Sequence, residues 1–169
     1  MQYTDGRNVQ TLQILRHLTL MEQIKLVQID RLGVPAEPIG PLPQVARHVC
    51  QSTSELYSVS GTFIPPWTGY LGLFEGKVFG TCAFKSPPSD GKVEIAYFTF
   101  PGFEGCGLAT AMACNLIAIA RKAQPGIVIM AQTLPELNAS NAILKKLGFK
   151  LVGTAMDHEA GEVWEWHLT

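Results

Sequence analysis

The segment best suited to chemistry is Lys92–Thr110, KVEIAYFTFPGFEGCGLAT. Within it, Val93–Phe100 alternates β-branched and aromatic residues, which predicts a strand that stops at a Pro-Gly pair. The glycine-spaced triplet Gly105-Cys106-Gly107 follows, and an apolar, alanine-rich helix is predicted from about Leu108 to Lys122. Such a strand, loop and helix N-terminus direct several backbone N–H groups to one point, where the helix dipole favours negative charge. The pattern predicts a diphosphate site.

The charges along this helix agree with an anion at its N-terminus. Its first turn, Leu108–Ala111, has no acidic side chain, while Arg121 and Lys122 lie in its last turn. The sequence does not match a dinucleotide-binding fingerprint, which needs a third glycine at Thr110 and an acidic residue about 20 residues later. It also has no Gly-Lys-Ser/Thr run of a P-loop. Taken alone, the glycine loop has an alternative interpretation as a turn between strand and helix whose glycines allow close packing and bind no ligand.

A second motif, LPELNASNAILKKLGF, occupies Leu134–Phe149. Together with GFEGCGLAT at 102–110, it resembles the GNAT superfamily of acyl-CoA-dependent N-acyltransferases, nearest to the branch of ribosomal-protein N-terminal acetyltransferases and related small-amine acetyltransferases. The resemblance extends from Trp67 to the C-terminus. It implies a single domain over 1–169 with an α/β (α+β mixed) fold. The expected sheet is mixed but mostly antiparallel, with six or seven strands, one splayed parallel pair and helices on both faces.

The chain departs from the family's pattern at four positions. Gly102 replaces the usual Gln or Arg, Glu104 replaces an Arg, and Leu137 replaces an Asn, although Asn138 is the next residue. Leu144 stands where many members have a tyrosine that acts as general acid. Because the loop would bind a diphosphate through backbone N–H groups, donor binding tolerates these changes. A tyrosine acid step does not, so the sequence leaves the general acid unassigned.

The resemblance implies acetyl-CoA as cosubstrate, no metal, and direct attack by a primary amine in a ternary complex. The acceptor would be a small-molecule amine or a peptide N-terminus. In this family the 92–100 strand bulges and splays, freeing backbone N–H groups near Phe98–Phe100 for the pantetheine amides and the thioester oxygen. Asn138 and Asn141 are expected to contact the pantetheine or the acetyl carbonyl of acetyl-CoA. The alternative is a structural role, in which Asn138 or Ser140 caps the helix that follows. The residues expected to bind acetyl-CoA are Phe98, Thr99, Phe100, Gly105, Cys106, Gly107, Leu108, Ala109, Thr110, Asn138 and Asn141.

Glu94 is the candidate general base. An alkyl amine has a pKa near 10.4, so roughly one molecule in a thousand is neutral at neutral pH, and a base would help. Glu94 is acidic within an otherwise apolar strand and matches a recurrent Glu of this branch. The alternative interpretation is that Glu94 lies on the solvated face of the strand and has no catalytic role. Tyr97 is interpreted as core or a pocket wall. A catalytically inactive acyl-CoA-binding regulator is the alternative function, supported by Leu144 and Glu104.

The composition of the chain argues against several classes of protein. The chain has 169 residues, 47% of them hydrophobic and 16% charged, with a net charge of −1, which suits one compact domain and disfavours a nucleic-acid surface. No apolar stretch is long enough for a membrane span, and the N-terminus does not resemble a signal peptide. The four cysteines have no metal-ligand spacing and are interpreted as reduced thiols of a cytoplasmic protein.

Edge strands and the terminal hairpin would offer surfaces for a homodimer.

The remaining sequence predicts the strands and helices around this site. The predicted strands are Thr11–His17, Trp67–Phe74, Val78–Phe84, Gly126–Gln132, Phe149–Asp157 and Glu162–Leu168, and the predicted helices are Thr19–Arg31 with a capping box, Gln44–Gln51, and Ser140–Leu147 ended by Gly148.

Overall fold

The computed structural model describes residues 11, 12, 15 and 19–169. Its named elements follow one another in the order β1 (Ile24–Gln28), α1 (Gln44–Ser60), β2 (Gly69–Phe74), β3 (Lys77–Phe84), β4 (Lys92–Thr99), α2 (Leu108–Ala123), β5 (Val128–Thr133), α3 (Ala139–Lys146), β6 (Lys150–Asp157) and β7 (Gly161–Leu168). In the described part of the chain, no helix has the length and apolar character needed to cross a bilayer.

The strands form one seven-stranded sheet in the order β1-β2-β3-β4-β5-β7-β6. Neighbours pair antiparallel except β4 and β5, which are parallel. That parallel pairing joins only residues 92–94 to residues 128–130, although both strands continue beyond it. The predicted mixed sheet with one splayed parallel pair is therefore confirmed.

Helices cover both faces of the sheet. On one face, α1 contributes Ala46 and Cys50 to a cluster that also contains Ile29, Leu71 and Phe100. On the other face, α2 and α3 pack on a larger cluster, whose central members include Phe79, Val93, Met112, Leu116, Leu144 and Trp166. The gap between β4 and β5 therefore lies in the sheet layer between the two helical layers.

The helix that follows the glycine loop agrees with the prediction. It begins at Leu108 after Gly107, whose φ of 80° lies in the left-handed region, and it ends at Ala123. The short helix α3 ends as predicted, because Gly148 adopts φ 88° and its N–H donates to the Lys145 carbonyl. The Phe149 N–H donates to the Leu144 carbonyl, which completes a Schellman motif.

The N-terminal predictions are wrong where the structure can be compared with them. Of the predicted strand Thr11–His17, the described residues Thr11, Leu12 and Leu15 are helical, and the other positions lie outside the described residues. The predicted helix Thr19–Arg31 is helical only through residue 23. From Ile24 the chain forms β1, because pairing with β2 buries the apolar residues that a helix would have placed on one face.

Helix α1 is longer than predicted, extending from Gln44 to Ser60 instead of ending near Gln51. Polar residues follow Gln51 and weaken the periodic pattern. Tyr57, which is only 7% exposed, holds this last part of the helix against the sheet. Its hydroxyl accepts a hydrogen bond of 2.7 Å from the Gly69 N–H.

Candidate active site at the gap between two strands

Two cavities meet where β4 separates from β5. The first, the loop cavity, has a volume of about 370 Å³ and is lined mainly by residues 97–99, the glycine loop, the first turn of α2 and α3. The second, the gap cavity, has a volume of about 410 Å³ and lies between β4, the end of β5 and the turn after β6. Tyr97 and Ser140 line both cavities. The two cavities are therefore neighbours on either side of these two residues.

The backbone of β4 presents two N–H groups to this gap. The Phe100 N–H donates to the Phe79 carbonyl at 2.8 Å, and the Glu94 carbonyl accepts from the Lys85 N–H at 2.9 Å. Because backbone groups alternate in direction along a strand, those of Phe98 and Phe100 face β3. The groups of Tyr97 and Thr99 face the gap beyond the paired part of β5.

Within the stretch near Phe98–Phe100 where free N–H groups were expected, Thr99 and the adjacent Tyr97 direct theirs to the gap, whereas Phe98 and Phe100 pair with β3. The expected bulge is not found, since β4 pairs with β3 from Ile95 to Thr99 without a register shift. Separation from β5 alone exposes the backbone of β4 to the gap.

The glycine loop provides a cradle of unpaired backbone donors. Gly105 and Gly107 adopt φ of 74° and 80°, a region that side chains rarely allow. Within the described part of the chain, no group accepts a hydrogen bond from the N–H groups of residues 105–110. The Glu104 carboxylate accepts from the Gly102 N–H at 2.7 Å, further back in the loop. A built Cβ at Gly105 meets no atom within 4 Å, so the space in front of that glycine is open.

The first turn of α2 completes the cradle. It has no acidic residue and no side-chain cap, and Arg121 and Lys122 lie in the last turn. The N-terminal partial charge of the helix is thus left for an external anion. Of the donor-binding residues predicted from the sequence, those that line the loop cavity are Phe98, Thr99, Gly105, Gly107, Leu108, Ala109 and Thr110. Cys106 is exposed outside the lining, and Phe100 is buried in the core beneath α1.

The two asparagines hold α3 in place. Asn138 caps the helix by accepting the Asn141 N–H at 3.0 Å, which confirms the capping interpretation. Asn141 is 2% exposed, and its side-chain amide donates to the Glu136 carbonyl. Its Oδ1 accepts from the Thr133 hydroxyl, which in turn accepts the Trp166 Nε1–H at 3.0 Å. Neither asparagine lines either cavity, so their structural role is to fix α3 against the end of β5.

Glu94 is the last residue of β4 that pairs with β5, and it lines the gap cavity. Its side chain is 20% exposed, and Oε1 lies 2.8 Å from the Lys85 ammonium. The same ammonium lies 3.8 Å from an oxygen of Asp157. The gap cavity is therefore lined by the carboxylates of Glu94, Asp157 and Glu159 against one lysine, a balance that favours a cationic ligand.

Asp157 is held in its charged form by the turn that follows β6. The backbone N–H groups of Ala160 and Glu159 donate to Oδ1 at 2.8 and 2.9 Å. These two hydrogen bonds, and to a smaller extent the Lys85 charge, lower the pKa of Asp157 below its ordinary value. The Asp157 carboxylate therefore stays ionised to a lower pH than an ordinary aspartate.

Two side-chain hydroxyls of β4 are buried, those of Tyr97 and Thr99. Among the described residues, no group forms a hydrogen bond with the Tyr97 hydroxyl or with the Thr99 Oγ1. Burial raises the pKa of Tyr97 well above that of a free phenol. Leu144, where the resemblance placed the tyrosine of many family members, is 0% exposed and lines the gap cavity. The interpretation of Tyr97 as core or a pocket wall agrees with its place in the lining of both cavities. Sequence reasoning missed Thr133 and Lys85, since their contacts with Trp166 and Asp157 join residues far apart in the chain.

Comparisons with known proteins agree with this architecture. The family model described as "Acetyltransferase (GNAT) domain" matches residues 46–150. No curated protein matches the sequence significantly. Solved structures with a similar fold include RimL, the ribosomal L7/L12 α-N-protein acetyltransferase, in its apo crystal form 2. It has a TM-score of 0.63 and 16% identity over 86% of this chain and 92% of that chain.

Two further structures share the fold. Mycobacterium smegmatis RimJ, in complex with CoA-disulfide, has a TM-score of 0.59 and 19% identity over 79% of this chain and 68% of that chain. The microcin C7 self-immunity acetyltransferase MccE, in complex with acetyl-CoA and AMP, has a TM-score of 0.59 and 14% identity over 74% and 70%. With the family match over more than half of the sequence and the splayed strand pair beside a glycine cradle, this chain belongs to the GNAT acetyltransferase domain family.

Proposed function

We propose that the protein transfers an acetyl group from acetyl-CoA to a primary amine by direct attack in a ternary complex. The observation that carries this proposal is the meeting of the loop cavity and the gap cavity at the end of the β4–β5 pairing. One cavity offers donors for an anion, and the other has an acidic lining. Their shared boundary is where a thioester and an amine would come into contact.

The loop cavity suits the diphosphate of the donor. The unpaired N–H groups of residues 105–110 and the N-terminus of α2 supply hydrogen bonds and positive partial charge without a basic side chain. The open space in front of Gly105 would allow the backbone to approach the phosphates closely, and Gly107 provides the left-handed turn into the helix. Two solved structures with this fold are complexes with acetyl-CoA or with CoA-disulfide, which supports the same donor here.

The thioester would lie along β4. In this arrangement the N–H groups of Tyr97 and Thr99, which face the gap, stabilise the negative charge that develops on the carbonyl oxygen. Fixed backbone donors suit this task, because they need no reorganisation during the reaction. The acyl carbon is then exposed to the gap cavity.

The acceptor would enter the gap cavity as an ammonium ion attracted by the carboxylates of Glu94, Asp157 and Glu159. Glu94 accepts a proton from the amine, directly or through water, and the neutral amine attacks the carbonyl carbon. Lys85 holds one oxygen of Glu94 at 2.8 Å and so fixes the orientation of the carboxylate. We propose a small-molecule amine or a peptide N-terminus as acceptor.

The test incubates the purified protein with acetyl-CoA and a panel of polyamines, amino acids, aminoglycosides and peptides with free N-termini. Free thiol is measured together with the mass of the acetylated product, and calorimetry measures donor binding separately. We expect thiol release that depends on at least one amine and yields its N-acetyl derivative. Donor binding without transfer to any amine would overturn the transfer reaction, and the lack of donor binding would overturn the proposed function entirely.

A further inference from the structure

A third cavity, the helix cavity, has a volume of about 390 Å³ and lies between the second half of α1 and strand β3. Its lining residues from α1 are three or four positions apart and so share one face of the helix: Thr53, Leu56, Tyr57 and Ser60. The β3 positions beneath this face hold the small side chains of Thr81 and Ala83. Beneath the first half of α1, the larger Leu71 and Ile29 fill the corresponding space. Small residues on β3 therefore leave the cavity open.

The lining of the helix cavity is mostly apolar and includes Leu56 and Trp67. Leu56 is 56% exposed, so a ligand in the cavity would remove apolar surface of this side chain from water, which is favourable. Among the described residues that line the cavity, none is acidic and Lys85 is the one that carries a charge. A cation bound there would lose its hydration without gaining a counter-charge.

The hydroxyl groups in the lining already have protein partners. The Tyr57 hydroxyl accepts from the Gly69 N–H at 2.7 Å, and the Thr81 hydroxyl donates to the Tyr70 carbonyl at 3.0 Å. An apolar group that enters the cavity therefore leaves these hydrogen bonds intact. The lining suits an aliphatic or aromatic group better than a polar one.

The helix cavity is continuous with the proposed acceptor site through Lys85, which lines both it and the gap cavity. The Lys85 N–H donates to the Glu94 carbonyl at 2.9 Å, so these two residues lie opposite each other on β3 and β4. Their side chains leave the same face of the sheet, because the ammonium and the carboxylate are 2.8 Å apart. Ala83, two residues before Lys85, is then a diagonal neighbour of Glu94, at about 7–8 Å. A substituent a few bonds from an amine at Glu94 would reach the helix cavity.

We propose that the helix cavity binds an apolar substituent of the acceptor, so that the substrates are primary amines with an aliphatic or aromatic group a few bonds from the nitrogen. The inference rests on the proposed function and narrows its acceptor. It disfavours extended polyamines, because a second ammonium ion in this cavity would meet Lys85 and no carboxylate. The apolar group can belong to a free monoamine or to the first side chain of a peptide, and the experiment separates these two sources.

The experiment measures kcat/KM at saturating acetyl-CoA for two matched pairs of acceptors. Hexylamine and hexamethylenediamine have the same chain and differ by a second ammonium ion. Two tripeptides, otherwise of glycine, begin with leucine or with asparagine, which have nearly the same shape and differ in polarity. The acetylated product is identified by mass, and calorimetry with acetyl-CoA and the Tm report on donor binding and folding of each variant.

The variants remove or fill the apolar lining. Leu56→Ala shortens an exposed side chain of the cavity, and Ala83→Leu fills the space nearest to Glu94. Val59→Ala is the matched control, because Val59 follows on the same helix, is 89% exposed and does not line the cavity. Since Leu56 is half exposed, its truncation tests the cavity even if Ala83→Leu fails to fold.

We expect the parent to favour the apolar member of at least one pair by tenfold or more in kcat/KM. A preference in the first pair assigns a free monoamine, and a preference in the peptide pair alone assigns a peptide N-terminus. Leu56→Ala should reduce the preference at least about threefold, and Ala83→Leu should reduce it further. Val59→Ala should keep the preference of the parent.

Transfer without preference for the apolar member of either pair would overturn the inference and leave the proposed function standing. A preference that Leu56→Ala and Val59→Ala change to the same extent would also overturn it, because the helix cavity would then not be its source. If the parent binds acetyl-CoA but acetylates no amine, the proposed transfer reaction fails and this inference fails with it.

Discussion

Glu94 and Tyr97 lie on the same strand and leave opposite faces of the sheet, yet both line the gap cavity. This is possible because β4 loses its parallel partner immediately after the Glu94–Met130 pair. A continuous sheet would keep an acid on one face and a phenol on the other apart. The separation of the two strands therefore lets residues from both faces of β4 line one cavity.

Glu94→Gln tests the base. The amide keeps the shape of the side chain but cannot take the proton of an ammonium ion. We expect unchanged acetyl-CoA affinity and a kcat lowered by about 10²–10⁴-fold at neutral pH. The loss should shrink as pH rises towards the pKa of the amine, because neutral amine is then present without help.

The measurement for Glu94 is a pH–rate profile of parent and variant with saturating acetyl-CoA. A variant as fast as the parent at every pH would make Glu94 a structural residue. A loss that is the same at every pH would instead mean that Glu94 orients the acceptor through its pair with Lys85.

Asp157→Asn tests the acidic wall of the gap cavity through stability. The folded-state pKa of Asp157 is lowered by the N–H groups of Ala160 and Glu159, so its ionised form stabilises the fold at pH values above the ordinary value of 3.8. That contribution is lost as pH falls from 3.8 through the lower folded-state pKa. We expect the variant to have a lower Tm than the parent at pH 7, and the two curves to converge in strong acid. A Tm difference that persists unchanged to the lowest pH would contradict the assignment.

Thr133→Val tests the network behind α3. The isosteric change leaves the Trp166 Nε1–H and the Asn141 Oδ1 buried without their shared partner. Each unsatisfied group costs about 1–3 kcal/mol, so the free energy of unfolding should fall by at least the lower figure. Thr154→Val, on the exposed strand β6, is the matched control and should change stability little. Denaturant unfolding measures the free energy of unfolding of both variants. Equal losses of stability in Thr133→Val and Thr154→Val would argue against the network.

Local patterns predicted the part of the fold that carries the site. The helix from Leu108 was evident from its alanine-rich apolar run and its glycine start, and the strand before it from alternation. The helix end at Gly148 followed from the left-handed conformation that glycine allows. Each of these signals lies within a few residues of the feature that it specifies.

The errors in the predicted fold arose where contacts between residues far apart in the sequence determine the local structure. Ile24–Gln28 follows a capping box and has a helical pattern, but pairing with β2 makes it a strand. The last turns of α1 depend on Tyr57, whose hydroxyl binds Gly69 across the fold. The sequence located the free N–H groups of β4 only to a stretch near Phe98–Phe100, because the direction of each group depends on pairing with β3, which alternation within one strand cannot reveal. The unmet hydroxyl of Tyr97 is a property of the assembled core and leaves no trace in a motif.

Ala109 is the residue at which binding of the acetyl-CoA diphosphate in the loop cavity can be tested by charge alone. This half-buried residue lies in the first turn of α2 and lines the loop cavity. A glutamate there would favour the helix by about 0.3–1 kcal/mol and also put a negative charge where the diphosphate should bind. Ala109→Gln has nearly the same size without the charge and is the matched control.

Calorimetric titration of acetyl-CoA into the parent, Ala109→Gln and Ala109→Glu, with the Tm of each protein, is therefore the decisive measurement. If the loop cavity binds the diphosphate, Ala109→Glu should be at least as heat-stable as Ala109→Gln but should bind acetyl-CoA at least tenfold more weakly, a difference of about 1.4 kcal/mol. The difference should narrow as salt screens the charges. Equal affinity of the folded glutamate and glutamine variants would contradict the claim.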